Sequence, residues 1–219
     1  MPRLLFEKTG SAVWMSHLDL MRVFQRSFKR AGLLLKHTQG FNPRPAVSIA
    51  LPLSVGVESH CELLDFDLER AEISLQDVCD RLNNALVSGI RVSEVYAQGR
   101  KLRDLSLLRC NVTLKYDSGV TQDTLTKISQ LFTRDMLMVE KKTKSGIQEQ
   151  DIIPMIRELT VNQIDGKSLL IDALICCQNP TLNPAQLVSA IDKYIPECKP
   201  DFSKCSRIEI YDKDKTVFR

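Results

Sequence analysis

The stretch "MSHLDLMRVFQRSFKRAG" sets Arg22, Arg26, Lys29 and Arg30 three or four residues apart, behind Ser16 and His17. On a helix that spacing gathers the four cations on one face. Such a face can line a nucleic-acid backbone. A helix beginning at Ser16 also offers its free first-turn N–H groups to phosphate. His17, as the first helical residue, falls on the side of Met21, Phe24 and Phe28. It reads as a capping-turn histidine tucked against the core, or as a general base or phosphate contact whose neutral form the helix dipole favours.

A second constellation follows in "HTQGFNPRP", residues 37–45. Asn42 and Arg44 each precede a proline and are pushed toward extended backbone, so the loop is stiff. Phe41 could stack on a base while Asn42 and Arg44 contact a base edge or phosphate, the usual way exposed RNA is read. The plainer alternative has Phe41 plugging the core. Next come Glu58, Glu62 and Asp65, carboxylates that could chelate Mg²⁺ or form an acid–base pair, or simply keep a sheet edge soluble. Arg100, Lys101, Arg103 and Arg109 could extend a basic cleft or belong to a plain linker.

Other chemistries lack their residues. The chain has no phosphate-binding GxxxxGK[ST] loop, no GxGxxG, no GxSxG and no HExxH. Its seven cysteines are scattered without CxxC or Cx3Cx2C spacing, and there are three histidines, so neither a metal site nor a cofactor is expected. No apolar run approaches the roughly 20 residues of a membrane span. The N-terminal "MPRLLFEKTG" lacks the apolar stretch of a signal peptide. These features predict a cytoplasmic protein with no membrane partner. Net charge is +3, unevenly spread: residues 1–50 hold eight Lys and Arg against two acids, whereas 51–75 hold six acids and one Arg. A basic N-terminal region suits an anionic partner.

Periodicity supplies the elements that must position these groups. Strands are predicted at 3–8, 12–15, 33–37, 46–52, 60–68 and 90–97. Helices are predicted from the Ser16-x-x-Asp19 capping box to Gly32, and over 74–87. The second half gives strands at 107–116 and 136–142, a polar tip at 143–150, and a hairpin of 151–164 and 168–177 turning at Asp165-Gly166. Helices at 121–133 and 183–195 and a last strand at 206–213 complete it. The fold class is therefore α+β, with two tandem ferredoxin-like βαββαβ halves bearing antiparallel sheets. The halves are residues 1–105, the basic domain, and 106–219.

Three segments carry a family resemblance: "SHLDLMRVFQRSFKRAGLLL", "QGFNPRPAVSIALPLSVGVES" and Glu62. They resemble the start of the radical-SAM-linked domain of unknown function in bacteria, with the dense match over about residues 15–65. The resemblance implies a context, a chain fused to or encoded beside a radical-SAM enzyme, rather than a reaction. Members commonly have His between the two prolines, where this chain has Arg44, and Ala where it has Ser27. Lacking a Cx3Cx2C triad, the chain would be the stand-alone companion of such an enzyme. The tandem layout is also similar to that of CRISPR-RNA-processing endoribonucleases. The function expected is a non-catalytic RNA-binding module that presents RNA or a ribosome-associated target to its radical-SAM partner, in RNA modification or ribosome maturation. Ser16, His17, Arg22, Arg26, Lys29, Arg30, Phe41, Asn42 and Arg44 would form its surface. The alternatives are a metal-independent endoribonuclease using His17, and a pure protein-interaction module.

Overall fold

A computed structural model describes residues 1–70, 72–143 and 146–219. The chain divides into two compact units, Met1–Asp104 with Val217–Arg219, and Leu105–Thr216. The last three residues thus cluster with the first unit. The class is α+β.

The first unit runs β1 (Arg3–Lys8), α1 (His17–Arg30), β2 (Val47–Ala50), β3 (Glu58–Phe66), α2 (Leu75–Ala85) and β4 (Ile90–Tyr96). Its sheet has the order β4-β1-β3-β2, every neighbouring pair antiparallel. β1 and β3 present Leu4, Phe6, Leu64 and Phe66 to a core completed by Phe24 and Phe28 of α1 and Val78 and Leu82 of α2. Phe6 meets Phe24 edge-on at 4.7 Å between ring centroids, and Phe28 tilts over Phe66 at 5.2 Å. Helix α1 stops in a Schellman turn. Leu33 N–H donates to the Phe28 carbonyl and Gly32 N–H to that of Lys29, with Gly32 at φ +69°.

Two predicted strands of this unit take other forms. Residues 12–14 belong to a short 3-10 helix, Gly10–Trp14, with Met15 its extended C-cap, because the buried Lys8 ammonium donates to the carbonyls of Val13 (3.1 Å) and Met15 (3.0 Å). Residues 33–37 make only isolated bridges, Leu35 with Leu68 and His37 with Pro45. Pro45 has no N–H with which to continue a ladder.

The second unit runs β5 (Leu105–Lys115), α3 (Gln122–Leu131), β6 (Met138–Thr143), β7 (Gly146–Asp151), β8 (Ile156–Asp165), β9 (Ser168–Cys176), α4 (Ala185–Tyr194) and β10 (Phe202–Asp212). Its four-stranded sheet is ordered β10-β5-β9-β8, again all antiparallel. β8 joins β9 through a turn at Gly166-Lys167, one residue on from the predicted Asp165-Gly166. The predicted strand at 136–142 does not enter this sheet: β6 pairs with β7 in a separate two-stranded ribbon, where a polar tip was expected. Lys144 and Ser145 of that tip lie outside the described residues. Side chains of α4 hold the ribbon by its main chain, Gln186 Nε2 on the Glu140 carbonyl (3.3 Å) and Lys193 Nζ on the Met138 carbonyl (2.9 Å).

All seven cysteines are free. Burial pushes the Cys110 and Cys177 thiols up to about 12 and that of the half-buried Cys205 to about 11, which disfavours the reactive thiolate at each. Among the described residues no helix is long and apolar enough to cross a membrane, and no cluster of His, Cys, Asp and Glu could hold a metal ion.

In the first unit Phe218 is fully buried against two guanidiniums, with Arg3 Cζ 5.5 Å and Arg100 Cζ 5.1 Å from its ring centroid. Arg3 is itself locked to Asp65 through Nε–Oδ1 (2.6 Å) and Nη2–Oδ2 (3.0 Å). Replacing Phe218 with Ala removes the ring that both guanidiniums pack against. We expect a loss of about 3–5 kcal/mol, read as a lower urea midpoint at unchanged m-value.

Candidate nucleic-acid interface

The nine residues singled out in the sequence all lie in the first unit, on α1 and on the loop that follows it. Ser16 is the N-cap: its hydroxyl accepts from Asp19 N–H (3.2 Å) and donates to Asp19 Oδ2 (2.7 Å). Arg22 pairs with Asp19 Oδ1 at 3.0 Å, one helical turn away. The Ser16 hydrogen bond first, and Arg22 after it, hold the Asp19 carboxyl below the ordinary aspartate range. His17 is half-buried at the first helical position, with no side-chain hydrogen bond or ion pair among the described residues.

At the other end of α1, Arg30 is a structural cation. Its guanidinium and the buried Ser27 hydroxyl both donate to the Ala85 carbonyl, at 2.5 Å and 3.2 Å. Ala85 is the last residue of α2, whose terminal carbonyls lack helical partners, and a cation there also answers the helix dipole. Ser27 thus helps join the two helices.

The eight basic residues of positions 1–50 therefore do unequal work. Arg3 and Lys8 are buried, Arg22 pairs with Asp19, Arg30 caps α2, and Lys36 pairs with Asp67 at 3.1 Å. Arg26, Lys29 and Arg44 remain: all three are exposed, and none has a side-chain partner among the described residues. The burial of Lys8 and the engagement of Arg30 were invisible to a charge count, because both partners are main-chain carbonyls.

The loop at 37–45 is a closed hairpin. Thr38 N–H donates to the Arg44 carbonyl (2.8 Å), and Arg44 N–H returns a bond to the Thr38 hydroxyl (3.0 Å). Ala46 N–H donates to the Lys36 carbonyl (2.7 Å) at the base. Gly40 turns the tip at φ +133°. Phe41, at that tip, is fully exposed and does not plug the core. Asn42 beside it is exposed as well.

Between the hairpin base and α1 lies an open groove of about 290 Å³. Its floor is apolar: Phe28, Leu33, Leu35 and Pro45. Its rim is polar, with Gln25, Lys29, His37 and Glu69, and Leu34 flanks it half exposed. Arg26 and Arg44 are the chain neighbours of the lining residues Gln25 and Pro45. Sequence reasoning found the cations and the aromatic. It missed the groove and Glu69, which the helix wheel and the loop motif do not contain. Glu58, Glu62 and Asp65 do not form a metal cluster: Asp65 is committed to Arg3, and Glu62 is buried.

Residues 2–184 match a family described as an uncharacterized protein conserved in bacteria, DUF2344. No curated protein matches the chain. Among solved structures it is similar to a chain of a Cbf5–Nop10–Gar1 complex at 10% identity, with 95% of this chain and 48% of that chain covered and a TM-score of 0.48. A chain of an H/ACA RNP bound to a substrate RNA containing 2′-deoxyuridine gives 8% identity, coverage of 99% and 50%, and a TM-score of 0.47. An unknown protein from Galdieria sulphuraria gives 8%, 94% and 96%, and 0.27. The chain spans about half the length of the first two of these.

The Ser16–Asp19 cap yields a stability test. Because the folded Asp19 pKa is lowered, the unfolded chain takes up this proton at higher pH than the folded one. The cap's contribution is complete above the ordinary aspartate value of 3.8 and fades as pH falls below it. Ser16→Ala is expected to cost about 1 kcal/mol at neutral pH. It should also flatten the acid limb of stability, measured by urea unfolding between about pH 3 and 7.

Proposed function

The chain belongs to that bacterial family, and we propose that it acts there as a non-catalytic, cytoplasmic RNA-binding companion of a radical-SAM enzyme, presenting RNA or a ribosome-associated target. The observation that carries the RNA reading is the company kept by Phe41. A fully exposed aromatic stands on a rigid hairpin beside an apolar groove, with three unengaged cations, Arg26, Lys29 and Arg44, in the same stretch of chain. A ring for stacking with cations for phosphate is the combination by which proteins hold single-stranded nucleic acid. The radical-SAM partnership rests on the resemblance over residues 15–65. We read both units as ferredoxin-like, the orders β4-β1-β3-β2 and β10-β5-β9-β8 supporting this, with β6 and β7 as an insertion in the second.

Binding of a labelled single-stranded RNA across a salt series tests the reading. Arg26→Glu and Lys29→Glu are each expected to weaken binding several-fold and to reduce the salt slope by about 0.7 per lost phosphate contact. Phe41→Ala should cost about 1–3 kcal/mol with the slope unchanged. An affinity indifferent to salt would rule the interface out. The partnership is checked separately, by whether a radical-SAM enzyme co-purifies with the tagged chain from a bacterial lysate.

A further inference from the structure

The groove beside the hairpin contains one group that phosphate binding does not explain. Glu69 sits on its rim, exposed, with no side-chain partner among the described residues. Its backbone is fixed, since Glu69 N–H donates to the Leu34 carbonyl at 2.9 Å. A carboxylate beside Lys29 on a surface that attracts phosphate opposes binding unless it meets a hydrogen-bond donor. Single-stranded RNA carries such donors on its base edges.

We propose that this groove takes one unstacked nucleobase, and that Glu69 accepts from its Watson–Crick edge, with guanine the favoured base. This inference rests on the RNA-binding reading. The volume, about 290 Å³, is at the low end of the roughly 300–1,000 Å³ of small-ligand pockets, which suits a single base rather than a stretch of chain. Leu34 and Pro45 offer the flat apolar face of a base the accessible surface, backed by the buried Phe28, Leu33 and Leu35. An ionised carboxylate only accepts, through two oxygens. Guanine offers two adjacent N–H donors on its Watson–Crick edge, its ring N1–H and its exocyclic amine. Uracil offers one N–H between two carbonyls, which a carboxylate repels. Gln25, which can both donate and accept, and His37 line the same rim and are available to the remaining polar atoms of the base. Arg26 and Arg44, next along the chain to Gln25 and Pro45, hold the flanking phosphates.

The test uses the full chain and labelled ten-nucleotide uridine strands whose central position is guanosine, uridine or an abasic site, followed by fluorescence anisotropy. The guanosine strand is expected to bind about tenfold more tightly than the abasic one, and more tightly than all-uridine. Glu69→Gln should bring the guanosine-to-uridine ratio close to one while the abasic strand binds no more weakly than to wild type. Leu34→Ala should shrink the gain of guanosine over the abasic site. Both changes are at exposed positions, and a thermal melt checks that they fold. Equal affinity of wild type for guanosine and abasic strands, or for guanosine and uridine strands, overturns the proposal while leaving RNA binding intact. Failure of every strand to bind overturns the RNA reading and this inference together.

Discussion

The rotation of α1 about its own axis governs the first unit, and four phenylalanines set it. Phe24 lies edge-on to Phe6 of β1, and Phe28 lies over Phe66 of β3. Two aromatic contacts one turn apart leave the helix a single way to face the sheet. The opposite face, with Arg26 and Lys29, is then directed away from the core with no freedom to roll. Ser27 and Arg30 complete the lock by seizing the end of α2 through the Ala85 carbonyl. The groove owes its floor to the same contacts, because Phe28 serves both the core and the cavity wall.

A second constraint acts at the start of the helix. Lys8 is a buried ammonium at the end of a core strand, and burying such a charge is costly unless its donors are used. It collects the carbonyls of Val13 and Met15, which curls the chain into a 3-10 turn just before Ser16 caps α1. Cap, turn and strand are thereby one hydrogen-bonded assembly, and the direction from which α1 leaves β1 follows from it.

Helix positions and most strands were legible in the sequence, because apolar spacing, the Ser16-x-x-Asp19 cap and Gly32 are local signals. Failures came where a distant partner decides. Residues 12–15 look extended until the Lys8 ammonium is counted, and residues 33–37 look like a strand until Pro45 proves unable to continue the pairing. The strand at 136–142 was found, but its neighbour β7 was not, since "GIQEQD" holds a single large apolar residue, the exposed Ile147, and carries no core-facing alternation. For the site, residue types pointed to Arg26, Lys29, Phe41 and Arg44. The charge pattern overstated the patch, because it could not see Arg3 and Lys8 inside the fold or Arg30 at the end of α2. Glu69 stood in an acidic run with nothing to mark it apart from its neighbours.

The ribbon of β6 and β7 is gripped by Gln186 and Lys193 through the carbonyl oxygens of Glu140 and Met138. A carbonyl is the same whatever side chain its residue bears. Substitutions at Met138 and Glu140 therefore leave these two bonds in place, whereas on β7 the Glu149 and Gln150 side chains themselves meet Lys193 (2.8 Å) and Gln186 (3.1 Å), and changes at any of these four would be felt at once. Across related chains, sequence drift should be freer at Met138 and Glu140 than at Glu149, Gln150, Gln186 and Lys193.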